Sequence, residues 1–296
     1  AQSDDGAPVR VRAGDALSVG GLIQADGYAG RESAPDGFRA RSVRLRLGGE
    51  AKGLSYVIQT DFVRSSVLLD AFAQLPLTEG LQVRAGQFKA PYSAEILTPR
   101  PNIRFAERAQ VVNAVAPGRQ PGVSLIGSLS ENVTATVGAF GTRGSDDNDL
   151  LQYVGRLNGT TSLGPGELAL GTNVAYDGTQ VLLGADAEYT ADRWLLAGEV
   201  HRTATEPVDP SDLSGPTPFS SGFYATGGVT VAPNHQVLLR YSYYDVDDTV
   251  STLEADRLSL GYNFDPTSIL RLHLTYEAPT DDLADGFATA RLQVAL

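Results

Sequence analysis

Four arginines and one glutamate stand close together in the segment 91–120, where they could bind or guide anions. They are Arg100, Arg104, Glu107, Arg108 and Arg119. A guanidinium group stays charged when it is partly desolvated, and its planar fork matches the oxygens of carboxylate and phosphate groups. The alternative is a structural role, in which the arginines dock on acidic side chains and hold the segment in place. We expect both, with Glu107 paired to one or two arginines and the others lining a passage.

Catalytic chemistry has little support in this sequence. The chain has no Cys, so it has no thiol nucleophile, disulfide or cysteine metal site. Its histidines, His201, His235 and His273, stand outside any nucleophile or metal-binding motif, and there is no serine elbow. We therefore expect a protein that is not an enzyme and needs no cofactor.

The charge balance also limits the partners. The net charge is −12, which argues against a nucleic-acid partner, since nucleic acids require a basic surface. Only two lysines are present, Lys52 and Lys89, so arginine carries almost all the positive charge. Acidic runs at 146–149, 245–248 and 281–282 supply much of the negative charge. None matches an EF-hand loop, so we expect them to be solvated, with weak Ca²⁺ binding left open.

The elements that position these charges have the period-two pattern of strands with one apolar face. Near the C-terminus, Leu258, Leu260, Tyr262 and Phe264 alternate with Arg257, Ser259, Gly261 and Asn263, and Leu270, Leu272, Leu274 and Tyr276 alternate with Arg271, His273, Thr275 and Glu277. We predict sixteen such strands, near 16–28, 38–50, 53–63, 66–77, 80–90, 121–130, 132–142, 150–162, 166–178, 180–190, 192–204, 219–231, 234–247, 253–264, 267–278 and 285–295. Tight turns and long loops alternate between them, the plan of a transmembrane barrel with short periplasmic turns and long outer loops.

The predicted fold class is therefore all-β: a closed antiparallel 16-stranded transmembrane β-barrel that forms one domain over residues 1–296. Residues 1–15 are expected to be a periplasmic N-terminal segment, and the opening Ala1-Gln2-Ser3-Asp4 is interpreted as a mature end after removal of a signal peptide. A soluble tandem β-sandwich would show the same alternation. Sandwich strands, however, average about five or six residues, and these are roughly twice as long.

If the apolar face meets lipid, the polar face of each strand lines the interior, because an arginine at the lipid midplane costs about 2–4 kcal/mol. The arginines expected to line the pore are Arg44, Arg46, Arg84, Arg156, Arg240, Arg257, Arg271 and Arg291, with Lys89 at the end of a strand. The carboxylates expected on the same face are Asp61, Asp186, Glu188, Glu199 and Glu277. These charges either pair and merely hydrate the interior or form an arginine strip that guides anions.

Three blocks carry a family resemblance. They read Gly86-Gln87-Phe88-Lys89-Ala90-Pro91-Tyr92, then Arg104-Phe105-Ala106-Glu107-Arg108, then Pro117-Gly118-Arg119-Gln120-Pro121-Gly122-Val123. In this order and at this spacing they resemble the phosphate-selective porin O/P family. The resemblance implies sixteen strands, a homotrimer and a third outer loop, 91–120, folded into the pore as a constriction. Within that loop, residues 104–115 have helical spacing of their apolar side chains.

The resulting expectation is a diffusion porin of the bacterial outer membrane that passes small hydrated solutes with a modest preference for anions, phosphate being one candidate. Its expected partners are membrane lipid, outer-leaflet lipopolysaccharide and small anionic solutes. The rival hypothesis is a non-conducting structural barrel whose outer loops bind an envelope partner.

Overall fold

The computed structural model describes residues 11–12, 17–30, 36–141, 151–205, 219–247 and 254–296. Sixteen long strands account for most of these residues, and a two-residue strand, Val11–Arg12, pairs with the start of the first of them. The sixteen strands, in chain order, are β1 Ser18–Ala29, β2 Gly37–Ala51, β3 Leu54–Asp61, β4 Leu68–Thr78, β5 Leu81–Lys89, β6 Arg119–Ser130, β7 Val133–Gly141, β8 Leu151–Leu163, β9 Gly166–Tyr176, β10 Gln180–Ala191, β11 Trp194–Thr205, β12 Phe219–Ala232, β13 His235–Asp245, β14 Glu254–Thr267, β15 Leu270–Pro279 and β16 Phe287–Ala295.

Each strand pairs antiparallel with the next, and the last pairs with the first. In this closing pair Ala288 lies opposite Ala29 and Ala295 lies opposite Leu22. No edge among the sixteen long strands is left open, which satisfies the backbone hydrogen bonds that a membrane interior cannot. The predicted closed antiparallel barrel of sixteen strands is confirmed.

The two faces of the wall divide as the alternation predicts. On β15 and β16, the apolar side chains Leu274 and Leu292 are exposed, 43% and 49%, and face outward. Their neighbours His273 and Arg291 are fully buried on the inner face. Within the described ranges, no helix is long and apolar enough to span a membrane.

Boundaries depart from prediction where the ladder is irregular. Strand β14 continues three residues beyond the predicted end at 264, through Pro266, with a register shift between Phe264 and Thr267. Proline cannot donate to the ladder, and a bulge accommodates it at the strand end.

The segment that joins β5 to β6, residues 90–118, is called the crossing segment below. It contains helix α1 (Ala94–Leu97), a 3₁₀ turn (Arg100–Asn102) and helix α2 (Gln110–Val115). The helix expected over 104–115 is thus wrong in its first half, because residues 103–109 are not helical.

Candidate functional site

The non-helical part of the crossing segment is bonded to side chains of the barrel wall. Asn263 Nδ2 on β14 donates to the Arg104 carbonyl at 2.8 Å, and the Ala106 amide donates to Thr275 Oγ1 on β15 at 3.1 Å. Arg291 on β16 donates to the Ala106 carbonyl. These wall groups take the backbone donors and acceptors that a helix would use internally, which explains why the helix begins only at residue 110.

Glu107 is the centre of a charge network on the same part of the segment. Arg41 on β2 donates to both its carboxylate oxygens, at 2.8 and 3.0 Å. Arg100 lies 3.4 Å and Arg291 3.3 Å from the same carboxylate. Burial alone would raise the pKa of Glu107, but the Arg41 hydrogen bonds and the nearby arginine charges outweigh burial and hold this pKa well below its usual range.

Arg291 has a second partner inside the wall. Its guanidinium forms a bidentate pair with Asp26 on β1, at 2.7 and 2.8 Å, and both side chains are fully buried. Arg240 on β13 is 2% exposed, lies 3.0 Å from Glu277, and stacks over the Phe105 ring at 4.3 Å. The crossing segment therefore covers Arg240 and Arg291. Both were expected to line the pore, and both form ion pairs on the inner face of the wall.

A second group of carboxylates meets helix α1. Glu199 on β11 accepts from the Glu95 backbone amide at 2.5 Å and lies 3.0 Å from His201 Nε2. The Glu95 carboxylate accepts from the Ala109 amide at 3.0 Å and lies 3.5 Å from Arg240. Together with the Glu107 contact, the segment bonds to wall side chains on strands as far apart in the sheet as β2 and β11.

Lys89 and Arg108 bond to carbonyl groups at the end of helix α1. Lys89 Nζ donates to the carbonyls of Leu97 and Thr98, at 3.2 and 3.1 Å. Arg108 donates to the carbonyls of Glu95 and Thr98, both at 2.8 Å. In the part of the chain that the structure describes, neither cation forms an ion pair with a carboxylate. The groups that they touch directly are therefore carbonyl dipoles.

Most other predicted arginines have one carboxylate partner each. The shortest N–O distances are 3.1 Å for Arg44–Asp61, 2.6 Å for Arg104–Glu188, 2.8 Å for Arg119–Asp70, 2.6 Å for Arg156–Asp186 and 2.5 Å for Arg271–Asp265. Pairing of this kind supports the expectation that part of the charge is structural. Asp26, Asp70 and Asp265 were missed, although alternation in β1 already places Asp26 on the polar face beside Gln24.

Arg41 was also missed, and simple alternation explains why. Ser42 and Arg44 point inward, so strict period two would put Arg41 on the outer face. The register of β1 against β2 shifts between Gln24 and Ala25, opposite Ser42 and Ala40. This bulge turns Arg41 inward, where it reaches Glu107.

Three cavities formed by residues that the structure describes differ in charge. The first, of about 430 Å³, is called the arginine cavity; the charged residues that line it are Arg44, Arg46, Arg84, Lys89, Arg100, Arg119 and Asp70. The second, of about 140 Å³, is called the acidic cavity; it is lined by Glu95, Asp186, Glu188, Glu199, Arg104 and Arg156. The third, of about 380 Å³, is lined by Arg39, Arg41, Glu107, Arg108, Arg240, Arg257 and Glu277. Cations therefore dominate two of the three cavities.

In the described part of the chain, no three His, Asp or Glu side chains converge on a point that could hold a metal ion. Residues 146–149 and Asp248 lie outside the described residues, and Asp281 and Asp282 are exposed at a loop. Weak Ca²⁺ binding by the outer acidic runs stays a prediction.

Acidification should increase any preference of the pore for anions, because Glu95 becomes protonated. Burial raises the pKa of Glu95, the Glu199 charge acts in the same direction, and Arg240 and Arg108 only partly oppose them. As the pH falls from 7, Glu95 binds a proton before a glutamate of ordinary pKa does. Between the raised pKa of Glu95 and the ordinary pKa, the folded form gains stability because it holds a proton that the unfolded chain lacks. The loss of one lumenal negative charge should shift the zero-current potential in a salt gradient toward anions. Glu95→Gln should abolish that shift, and an equal shift in the variant would assign it to another group.

A closed antiparallel barrel of sixteen strands, apolar outside and charged inside, defines the protein as a porin of the outer membrane. More particularly, the chain belongs to the family of phosphate-selective porins O and P, whose model matches residues 19–180, more than half of the sequence. The family and the fold point to a channel rather than an enzyme. No curated protein matches the chain significantly.

Solved structures of other porins share the fold at low identity. The anion-selective porin from Comamonas acidovorans is 15% identical, with a TM-score of 0.68 over 95% of this chain and 99% of that one. The trimer form of OmpT from Vibrio cholerae is 11% identical, with a TM-score of 0.68 over 95% and 99%. Salmonella typhi OmpF in complex with daunomycin is 9% identical, with a TM-score of 0.69 over 97% and 100%.

Proposed function

We propose that this porin passes small hydrated solutes with a modest preference for anions, and that the crossing segment narrows its lumen. The arginine cavity carries the proposal, since six cations line it against one carboxylate, Asp70. Fixed positive charge in a narrow passage with low-dielectric walls concentrates anions and repels cations. The family description and the anion-selective porin of similar fold support the same preference.

The crossing segment supports the narrowing. Its residues bond to inner-face side chains on β2, β11 and β13 to β16. A segment held from such different parts of the wall takes up lumenal space and brings Arg100 and Arg108 to the remaining passage. Solutes then move beside these charges instead of through an open tube.

The zero-current potential of the purified porin in a planar bilayer tests the proposal. Across a KCl gradient we expect the sign that indicates chloride preference, and we expect it to weaken as salt rises, because the Debye length falls from about 10 Å at 0.1 M to about 3 Å at 1 M. Potassium preference at low salt would contradict the proposal. Barrels that insert without conducting would instead support the non-conducting, partner-binding alternative.

We also propose that the porin is a homotrimer that binds lipid and lipopolysaccharide. The trimer form of OmpT, a structure of similar fold, supports the first part. The exposed apolar outer face, with Leu260 at 54% and Leu196 at 61%, supports contact with hydrocarbon. Native mass spectrometry of detergent-extracted protein should show three chains with bound lipid. Monomer alone in a mild detergent would contradict the trimer.

A further inference from the structure

The arginine cavity has an apolar wall as well as its cations. Phe72 on β4 and Phe88 on β5 meet edge to face, with ring centroids 5.7 Å apart. The Arg84 guanidinium lies over both rings, 4.6 Å from the Phe72 centroid and 5.3 Å from that of Phe88. Apolar side chains that share the lining include Leu22, Leu97, Pro99 and Pro101. The cavity therefore presents hydrocarbon and positive charge to the same occupant.

Two of the cations bond to side chains of β4 on either side of Phe72. Arg119 pairs with Asp70 at 2.8 Å, and Arg84 donates to Gln74 Oε1 at 2.9 Å. Asp70, Phe72 and Gln74 are alternate residues of one strand, so Asp70 and Gln74 are roughly 13 Å apart along β4, at about 3.3 Å per residue, with Phe72 between them. An anion held by the cations of this cavity therefore has a ring or an apolar side chain in the same lining.

This arrangement suits an anion with an apolar body better than a hydrated inorganic one. A guanidinium stacked on a ring is weakly hydrated and keeps its full positive charge, which attracts a carboxylate. An inorganic ion gains only the charge interaction, whereas an organic carboxylate also removes its hydrocarbon from water. The volume of about 430 Å³ is in the range of small-molecule sites.

We propose that the arginine cavity binds small organic carboxylates, with the carboxylate on the cations and the apolar body against Phe72 and Leu97, in preference to inorganic phosphate. The inference rests on the proposed anion preference and names the class of anion that the same passage selects. The cavity then acts as a shallow binding site that enriches such solutes before they cross.

Block of the chloride current by added benzoate, acetate or phosphate tests this inference on the intact porin. We expect benzoate to block at a concentration about tenfold below that of acetate. The difference corresponds to the affinity gained when roughly one face of the benzoate ring is removed from water. Phe72→Thr, which keeps a strand-forming residue, should remove most of the benzoate advantage and affect acetate less. Arg84→Gln should weaken both blocks. Arg193→Gln, at an exposed periplasmic turn, is the matched control and should change neither.

The outcomes separate this inference from the proposed function. Equal block by benzoate and acetate, or stronger block by phosphate, in a chloride-selective pore would overturn the organic-carboxylate inference and leave the anion preference intact. A potassium-selective wild type would overturn the proposed function itself. If Phe72→Thr does not fold, Leu97→Ser on the crossing segment should produce the same loss of benzoate block, and unchanged block in that variant would contradict the inference.

Discussion

Replacing Glu107 with glutamine should loosen the crossing segment and widen the pore. The substitution removes the negative charge that Arg41, Arg100 and Arg291 share, leaving three cations close together in a poorly solvated interior. Breaking a buried ion pair by removing one partner costs about 3–5 kcal/mol, and Glu107 is 26% exposed, so the lower end applies. Single-channel recordings should show higher conductance with more frequent current fluctuations, and the zero-current potential should move further toward anions.

Glu188→Gln is the matched control for this prediction. Glu188 lies on the wall strand β10 and pairs with an arginine of the crossing segment, Arg104, at 2.6 Å. Both side chains of this pair are more than a third exposed. Exposed pairs contribute about 0–1 kcal/mol, so the conductance should stay near that of the wild type. Proteolysis within residues 90–118 should increase in the Glu107 variant alone. Equal behaviour of the two variants would show that backbone bonds to the wall, not Glu107, hold the segment.

Replacing Arg119 with glutamine should produce the largest shift of selectivity toward cations. Arg119 and Asp70 form a bidentate pair at 2.8 and 2.9 Å in the arginine cavity, where together they add no net charge. Without Arg119, the Asp70 carboxylate, 8% exposed, is left unpaired and attracts cations into the cavity. Asp70→Asn should shift the zero-current potential the opposite way, since it frees the Arg119 charge.

The double variant Arg119→Gln with Asp70→Asn completes the comparison. It removes both charges, so its zero-current potential should return close to that of the wild type, and any departure from the sum of the two single shifts measures the coupling of the pair. Circular dichroism and heat-modifiable migration on gels should verify that each variant is folded. If the double variant shifts as far as Arg119→Gln, the arginine acts directly on the permeating anion and Asp70 contributes little to the local charge.

Arg104, Arg108 and Arg119, all expected near the constriction, differ in the groups to which they bond. In the structure Arg104 and Arg119 have carboxylate partners, whereas Arg108 bonds to backbone carbonyls. Neutralising Arg108 therefore removes a charge without exposing a carboxylate. The change in potential should be smaller for Arg108 than for Arg119.

The sequence by itself determined the barrel and the face on which most strand residues lie. Leu274 and His273 could be assigned to opposite faces because the direction of a strand side chain depends only on its own backbone period of two. The strand count followed from the same local signal together with the turns between strands. The charged character of the interior was therefore predictable before any pairing was known.

The tertiary structure alone decided which charges meet and which remain open to solutes. Arg291 and Asp26 are 265 positions apart and pair only because the last strand closes on the first. Arg41 faces inward only because β2 carries a bulge, and residues 103–109 leave the helix because wall side chains take their backbone groups. Such contacts depend on interstrand register and on the path of the crossing segment, which arise from packing of the whole barrel and leave no local period in the sequence.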